Sequence, residues 1–244
     1  MGGRGSKEMY KIQKLSRYRR CANSILQLSN AKNFHPIYLN AELQITQDKK
    51  NKFMPFFMKK VAEVLQENPE FKILNSVLGR SWWRSRAVLF NDLSFSIAVH
   101  KEFEGESVVI IYVLHEVMKK TLGQIEEEYK KLSAMPIEEF PLFIKLKKLF
   151  SVPIWLHHPI FTLWAVLFPR DYISYGSMGL SNLGEGSVQS FFPSTSKTLI
   201  MGLGGMREKE GNLILTLNMV FNHYVVDGRI CSRFMERIKA KIEA

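Results

Sequence analysis

Apolar side chains alternate with polar ones along residues 36–46, where Ile37, Leu39, Ala41, Leu43 and Ile45 fall on one side of an extended chain. The same period of two marks 88–99, 107–114, 175–183, 197–206 and 212–222 as strands. A period near 3.6 takes over elsewhere. Residues 53–66 place Phe57, Val61, Val64 and Leu65 on one helical face, with Asn68-Pro69 as the stop. Residues 228–243 repeat Ile230, Phe234, Ile238 and Ile242 at steps of four. Residues 121–132 read as a charged amphipathic helix, and 15–28 as a helix with Ser16 as N-cap. Strands with several intervening helices predict an α+β sandwich, with a mixed sheet and the helices in one layer.

Composition supports a folded chain. Hydrophobic residues make up 46% and aromatics 12% of 244 positions, which excludes global disorder. The domain is expected over 14–244, behind a flexible basic tail at 1–13. That tail has no apolar run, so a signal peptide is not expected there, although Met1-Gly2 with Ser6 fits the myristoylation pattern. The net charge is +11, and +10 of it lies in residues 1–60, where thirteen Lys and Arg face Glu8, Glu42 and Asp48. A basic third of this kind meets nucleic acid, anionic lipid or a phosphorylated cofactor, or it forms a solvated face. No zinc-finger spacing or aromatic RNA-binding signature accompanies it, so nucleic acid is not an expected partner. Cys21 and Cys231 provide neither a disulfide framework nor a metal set, and His157-His158 with the distant His115 lacks ligand spacing. The expected compartment is a reducing cytoplasm.

One stretch departs from a soluble pattern. Residues 149–169 contain no charged side chain and include Trp155 and Trp164. Pro153, Pro159 and His157-His158 interrupt it, which argues against a membrane-spanning helix. Two readings remain: an apolar hairpin lying on a membrane surface, flanked by Lys145, Lys147, Lys148 and Arg170, or a helical segment packed on its own domain or a sister subunit.

The candidate chemistry sits at the last strand-to-helix junction, Asn222-His223-Tyr224-Val225-Val226-Asp227-Gly228. H-x-x-x-D-G puts an imidazole at a strand end and a carboxylate and glycine at the turn into the helix. A histidine titrates near pH 6.5, about where proton removal at neutral pH is efficient. A core histidine beside a turn aspartate gives the same six residues.

Other segments stand in a telling order with this one: Leu15-Ser16-Arg17-Tyr18-Arg19-Arg20, then Glu67 to Asn75, then Phe95 to Val99, then Leu180-Ser181-Asn182-Leu183-Gly184, then Thr198 to Gly204. Together they resemble the catalytic acyltransferase core of 2-oxoacid dehydrogenase complexes, and through it the chloramphenicol acetyltransferase superfamily. The resemblance covers roughly residues 14–243. It implies a two-layer sandwich in which His223 removes a proton from an acceptor thiol, hydroxyl or amine while Ser181 donates to the oxyanion of an acyl thioester. It further implies that Asp227 pairs with an N-terminal arginine, Arg19 with Arg17 and Arg20 as rivals, to hold the histidine loop. The implied substrate is acyl-CoA and no metal is needed. The implied assembly is a homotrimer or a multiple of three, with histidine and serine supplied by different subunits.

The chain departs from that pattern at three places. Asn222 and Tyr224 flank His223 where the family has aspartate and arginine. No lipoyl domain is visible, so a covalent lipoyl group on this chain is not expected. Residues around 140–170 read as an apolar insertion. The competing reading is a catalytically degenerate scaffold that builds trimers or a cage.

Overall fold

The computed structural model describes Tyr18 and residues 35–78, 87–150, 152–153, 155–157, 159–160, 163, 176–183, 187–193, 197–209 and 211–244. The expected helix at 15–28 falls outside these residues except for Tyr18, which is helical and buried.

The described elements run β1 (Pro36–Ile45), α1 (Phe53–Glu67), β2 (Ser76–Leu78), β3 (Ala87–Leu89), β4 (Phe95–Phe103), β5 (Glu106–Leu114), α2 (Leu122–Ala134), α3 (Pro141–Lys147), β6 (Met178–Asn182), β7 (Leu199–Leu203), β8 (Arg207–Lys209), β9 (Asn212–Asn222) and α4 (Gly228–Glu243). The main sheet has the order β1-β9-β7-β6-β4-β5, with β8 added against β9. Strand β6 runs parallel to β4 and β7, whereas the other neighbours are antiparallel, so the sheet is mixed.

The helices cover one face. Their apolar stripes fit the sheet because each strand turns alternate residues toward them. On α1 the buried Phe57, Val61, Val64 and Leu65 point inward, and on α4 Cys231, Phe234, Ile238 and Ile242 do so. They meet Leu43, Leu180, Met201, Leu217, Met219 and Phe221 in one core. A smaller cluster joins Val108 and Ile110 of β5 to Phe140, Phe143 and Leu146 around α3. Removing a ring such as Phe57, which is fully buried, would cost about 3–5 kcal/mol.

Local signals set the helix ends. The Asn68 side chain donates to the Val64 carbonyl at 2.8 Å, and Pro69 cannot continue α1. Thr121 and Gln124 form a reciprocal capping box at the start of α2.

Three expected strands are shorter than their apolar patterns. The run at 88–99 splits into β3 and β4, because Asp92 Oδ1 draws in the N–H groups of Leu93 (2.7 Å) and Met118 (3.1 Å) and turns the backbone between them. Strand β6 begins only after Gly176, whose φ of 79° is left-handed backbone that L side chains rarely adopt. Strand β7 ends before Gly204, where a Cβ would stand 1.9 Å from the Gln189 carbonyl oxygen. The β2–β3 ladder, three residues a side, is too short to leave a periodic signal.

That close approach at Gly204 places residues 187–193 over the face of the sheet opposite the helices. Ser190 Oγ donates to Asn218 Oδ1, and the Gly205 N–H donates to the Val188 carbonyl at 2.9 Å. Strand β9 is consequently buried on both faces. Leu213, Leu215, Leu217, Met219 and Phe221 face the helices, whereas Ile214, Thr216, Asn218, Val220 and Asn222 are buried on the other side.

Candidate active site

His223 follows the last residue of β9, on a turn that closes into α4. Its backbone N–H donates to the His35 carbonyl at 2.7 Å, which extends the β1–β9 ladder by one bond. Its Nδ1 lies 3.1 Å from the Val226 carbonyl oxygen. A carbonyl only accepts, so this contact places the ring proton on Nδ1 and leaves the Nε2 lone pair available in the neutral ring. The residue is exposed, so a reactant can reach Nε2.

Asn222 builds the turn. It is 2% exposed, and its Oδ1 accepts the Tyr224 N–H at 3.1 Å, with the His35 N–H farther away at 3.5 Å. Its backbone carbonyl accepts from Val225 (2.9 Å) and Val226 (3.2 Å), while its N–H donates to Thr198 (2.9 Å). The side-chain bond to the backbone two residues on is an Asx turn. Tyr224 then stacks edge-on against the His35 ring, with centroids 4.6 Å apart. The two residues that break the family pattern therefore make the contacts that shape the histidine turn.

Asp227 occupies the N-cap of α4 with extended backbone. It is exposed and makes no side-chain cap bond, although its carbonyl accepts from Ile230 and Cys231. Arg17, Arg19 and Arg20 lie outside the described residues.

Ser181 sits near the end of β6, half-buried. Leu180 belongs to the helix-side core, so alternation turns Ser181 to the opposite face, the side that carries Asn218 and the strap at 187–193. Beside it in register is Gly202 of β7, where a side chain would collide with the Phe191 carbonyl at 2.8 Å and Pro193 at 2.9 Å.

Register shows how far apart His223 and Ser181 stand. Ser181 is level with Gly202, and Gly202 with Asn218 on β9. His223 lies five residues beyond Asn218, about 16 Å along the strand and about 10 Å across two strand spacings. One carbonyl group cannot touch both side chains of a single chain.

Two further features had no legible sequence signal. Lys197, just before β7, donates its ammonium to the Gly176 carbonyl, and burial pulls its pKa down to about 7. A cavity of about 250 Å³ opens between β4, α1 and α2 beside Asn182 and Leu183, with Met54, Val99, Tyr129 and Leu132 in its wall and His100 and Ser133 as polar lining. Cys231 is buried and its thiol is pushed up to about 12, chiefly by desolvation, which makes it inert as a nucleophile. Among the described residues no group of three or more His, Cys, Asp or Glu is placed to hold a metal ion.

No protein-family model matches the chain. A curated protein, the lipoamide acyltransferase component of the branched-chain alpha-keto acid dehydrogenase complex of Bacillus subtilis, is 23% identical over 192 residues. The match takes in 79% of this chain and 39% of that protein, so the chain spans well under half of its relative's length. The cubic core of the pyruvate dehydrogenase multienzyme complex superimposes with a TM-score of 0.63 at 16% identity, over 100% of this chain and 96% of the other. The dihydrolipoamide acetyltransferase of Azotobacter vinelandii was investigated for the roles of a serine, a histidine and an asparagine in catalysis. It matches with a TM-score of 0.62 at 15% identity, covering 100% and 97% of the two chains. A chloramphenicol acetyltransferase matches at 0.55 and 15% identity, covering 97% and 100%. The chain has the fold of these acyltransferase cores, as its sequence resemblance implied.

Proposed function

We propose that this chain is an acyltransferase that moves an acyl group from an acyl thioester, most simply acyl-CoA, to a thiol, hydroxyl or amine. The observation that carries the reading is the His223–Val226 contact, which keeps the proton on Nδ1 and presents Nε2 as a base at an exposed turn. The shared fold and the weak sequence relationship to a lipoamide acyltransferase support it.

The chemistry follows from these positions. Nε2 of His223 takes the acceptor's proton as the acceptor atom attacks the thioester carbon. The carbonyl oxygen becomes an oxyanion, and the Ser181 hydroxyl of a neighbouring subunit donates to it. Collapse of the tetrahedral intermediate breaks the carbon–sulfur bond, and the imidazolium returns its proton to the departing thiolate. The acyl group ends on the acceptor and CoA leaves as a thiol. Asp227 stands at the N-cap of α4, outside the reacting atoms.

The assembly we propose is a trimer or a multiple of three, because histidine and serine of one chain stand too far apart to share a substrate. The cubic core among the matching structures has such a symmetry, since a cube carries three-fold axes.

Complementation tests the whole reading. Ser181→Ala and His223→Ala are each expected to lose at least about 10²-fold of the activity with acyl-CoA and a thiol acceptor. Co-refolded one to one, they should regain activity, because about a quarter of the subunit interfaces then pair an intact histidine with an intact serine. Mixed assemblies that form and stay inactive, from a wild-type protein that turns over, would disprove the shared site. A wild-type protein inert toward a broad donor and acceptor panel would leave the scaffold reading.

A further inference from the structure

The segment after β5 carries a surface that the acyl-transfer site does not use. Trp155 is 73% exposed, Leu163 58%, Ile144 48% and Ile160 36%. Residues 155–157, 159–160 and 163 are helical, and Trp155, Pro159, Ile160 and Leu163 are exposed there. His157 between them is buried. The His157 Nε2 lies within hydrogen-bond distance of the carbonyls of Leu149 (3.2 Å) and Val152 (3.0 Å), which ties the apolar turn back to the end of α3. Phe150 packs on Phe103 and Phe143 at centroid distances of 6.0 and 6.1 Å, so the base of the turn is anchored in the smaller core. Lys145, Lys147 and Lys148 stand exposed beside this base.

We infer that this surface docks on an anionic lipid bilayer, with Trp155, Ile160 and Leu163 in the headgroup–acyl boundary and Lys147 and Lys148 against the headgroups. A side chain such as Trp155 gains most at that boundary, where an aromatic body meets an apolar phase and its N–H stays wet. Exposed lysines beside exposed apolar side chains are complementary to anionic lipid, and an apolar interface between subunits has no use for them. The run of 21 residues without charge, 149–169, bounded by Lys148 and Arg170, extends the same division along the sequence. Among the described residues no helix is long and apolar enough to cross a membrane, so the contact is one of surface attachment. An apolar acceptor would thus be met where it is dissolved.

Vesicle flotation tests the inference on the full chain. Wild type should float with vesicles of phosphatidylcholine containing about a third phosphatidylserine or phosphatidylglycerol, and the bound fraction should fall steeply with salt, since the attraction is screened beyond about 10 Å at 0.1 M. Trp155→Ala with Leu163→Ala should weaken partitioning at least tenfold, as should Lys147→Glu with Lys148→Glu. All four side chains are exposed, so circular dichroism and oligomer mass should not change. Equal flotation on pure phosphatidylcholine, or none on either vesicle, would overturn the proposal. If the apolar pair of substitutions instead splits the oligomer, the surface is a contact between copies of this chain.

Discussion

The Val226 carbonyl oxygen stands 3.1 Å from Nδ1 of His223, three residues back along the same turn, and so a backbone group sets the tautomer of the candidate base. Many catalytic histidines rely on a carboxylate for this purpose, and the one carboxylate of the motif, Asp227, is turned to solvent at a helix cap. A carbonyl fixes the ring's orientation without adding negative charge beside it. Several measurements test what this arrangement implies.

His223→Ala should lower turnover by about 10²–10⁴-fold, the usual contribution of a positioned base, while oligomer mass and far-UV circular dichroism stay as in wild type. Because the side chain is exposed, folding does not depend on it. Near-normal turnover in the alanine variant would remove His223 from the reaction.

Ser181→Ala should lower kcat by about 10²–10³-fold and leave KM for the acyl donor nearly unchanged, because an oxyanion donor acts in the transition state. A change confined to KM would move Ser181 to a ground-state binding role.

Asn222→Ala leaves the Tyr224 N–H without its acceptor in the turn and should cost about 1–3 kcal/mol of stability. Turnover should fall as well, because the turn that aims His223 is then free to relax. Urea unfolding together with kcat separates the two effects. A variant with lower stability and unaltered kcat at saturating substrate would show that the turn holds the fold and not the base.

Lys197 gives a pH signature. Its pKa in the folded chain is about 7 against an ordinary value of 10.5, through desolvation. Between those values the unfolded chain holds a proton that the folded chain has released, so stability rises with pH across the window. Below pH 7 both states are protonated and the full burial cost is present. Lys197→Met should therefore gain most over wild type at pH 7 and below, with the advantage shrinking toward pH 10.5. Urea unfolding at pH 6, 8 and 9.5 would show it, and a difference independent of pH would refute the assignment.

The sequence alone determined the elements whose apolar pattern is long. Strands β1 and β9 and helices α1, α2 and α4 stand within two residues of where periodicity and stop signals put them, because ten or more residues of consistent pattern outweigh any single contact. The order of short motifs along the chain was likewise enough to name the acyltransferase resemblance, and with it His223 and Ser181 as candidates.

What periodicity could not contain was decided in three dimensions. The split at Asp92 depends on Met118, an N–H 26 residues away, and the end of β7 depends on Gln189 lying against Gly204. The role of Asn222 depends on a side-chain bond that bends the chain across His223. The separation of His223 from Ser181 depends on strand order, since only the register β6-β7-β9 shows that 42 residues of chain return to a point too distant for one substrate. Local pattern records which face of an element is apolar. It carries no record of which strand lies beside which, and that neighbour relation decides whether a site is complete within one chain.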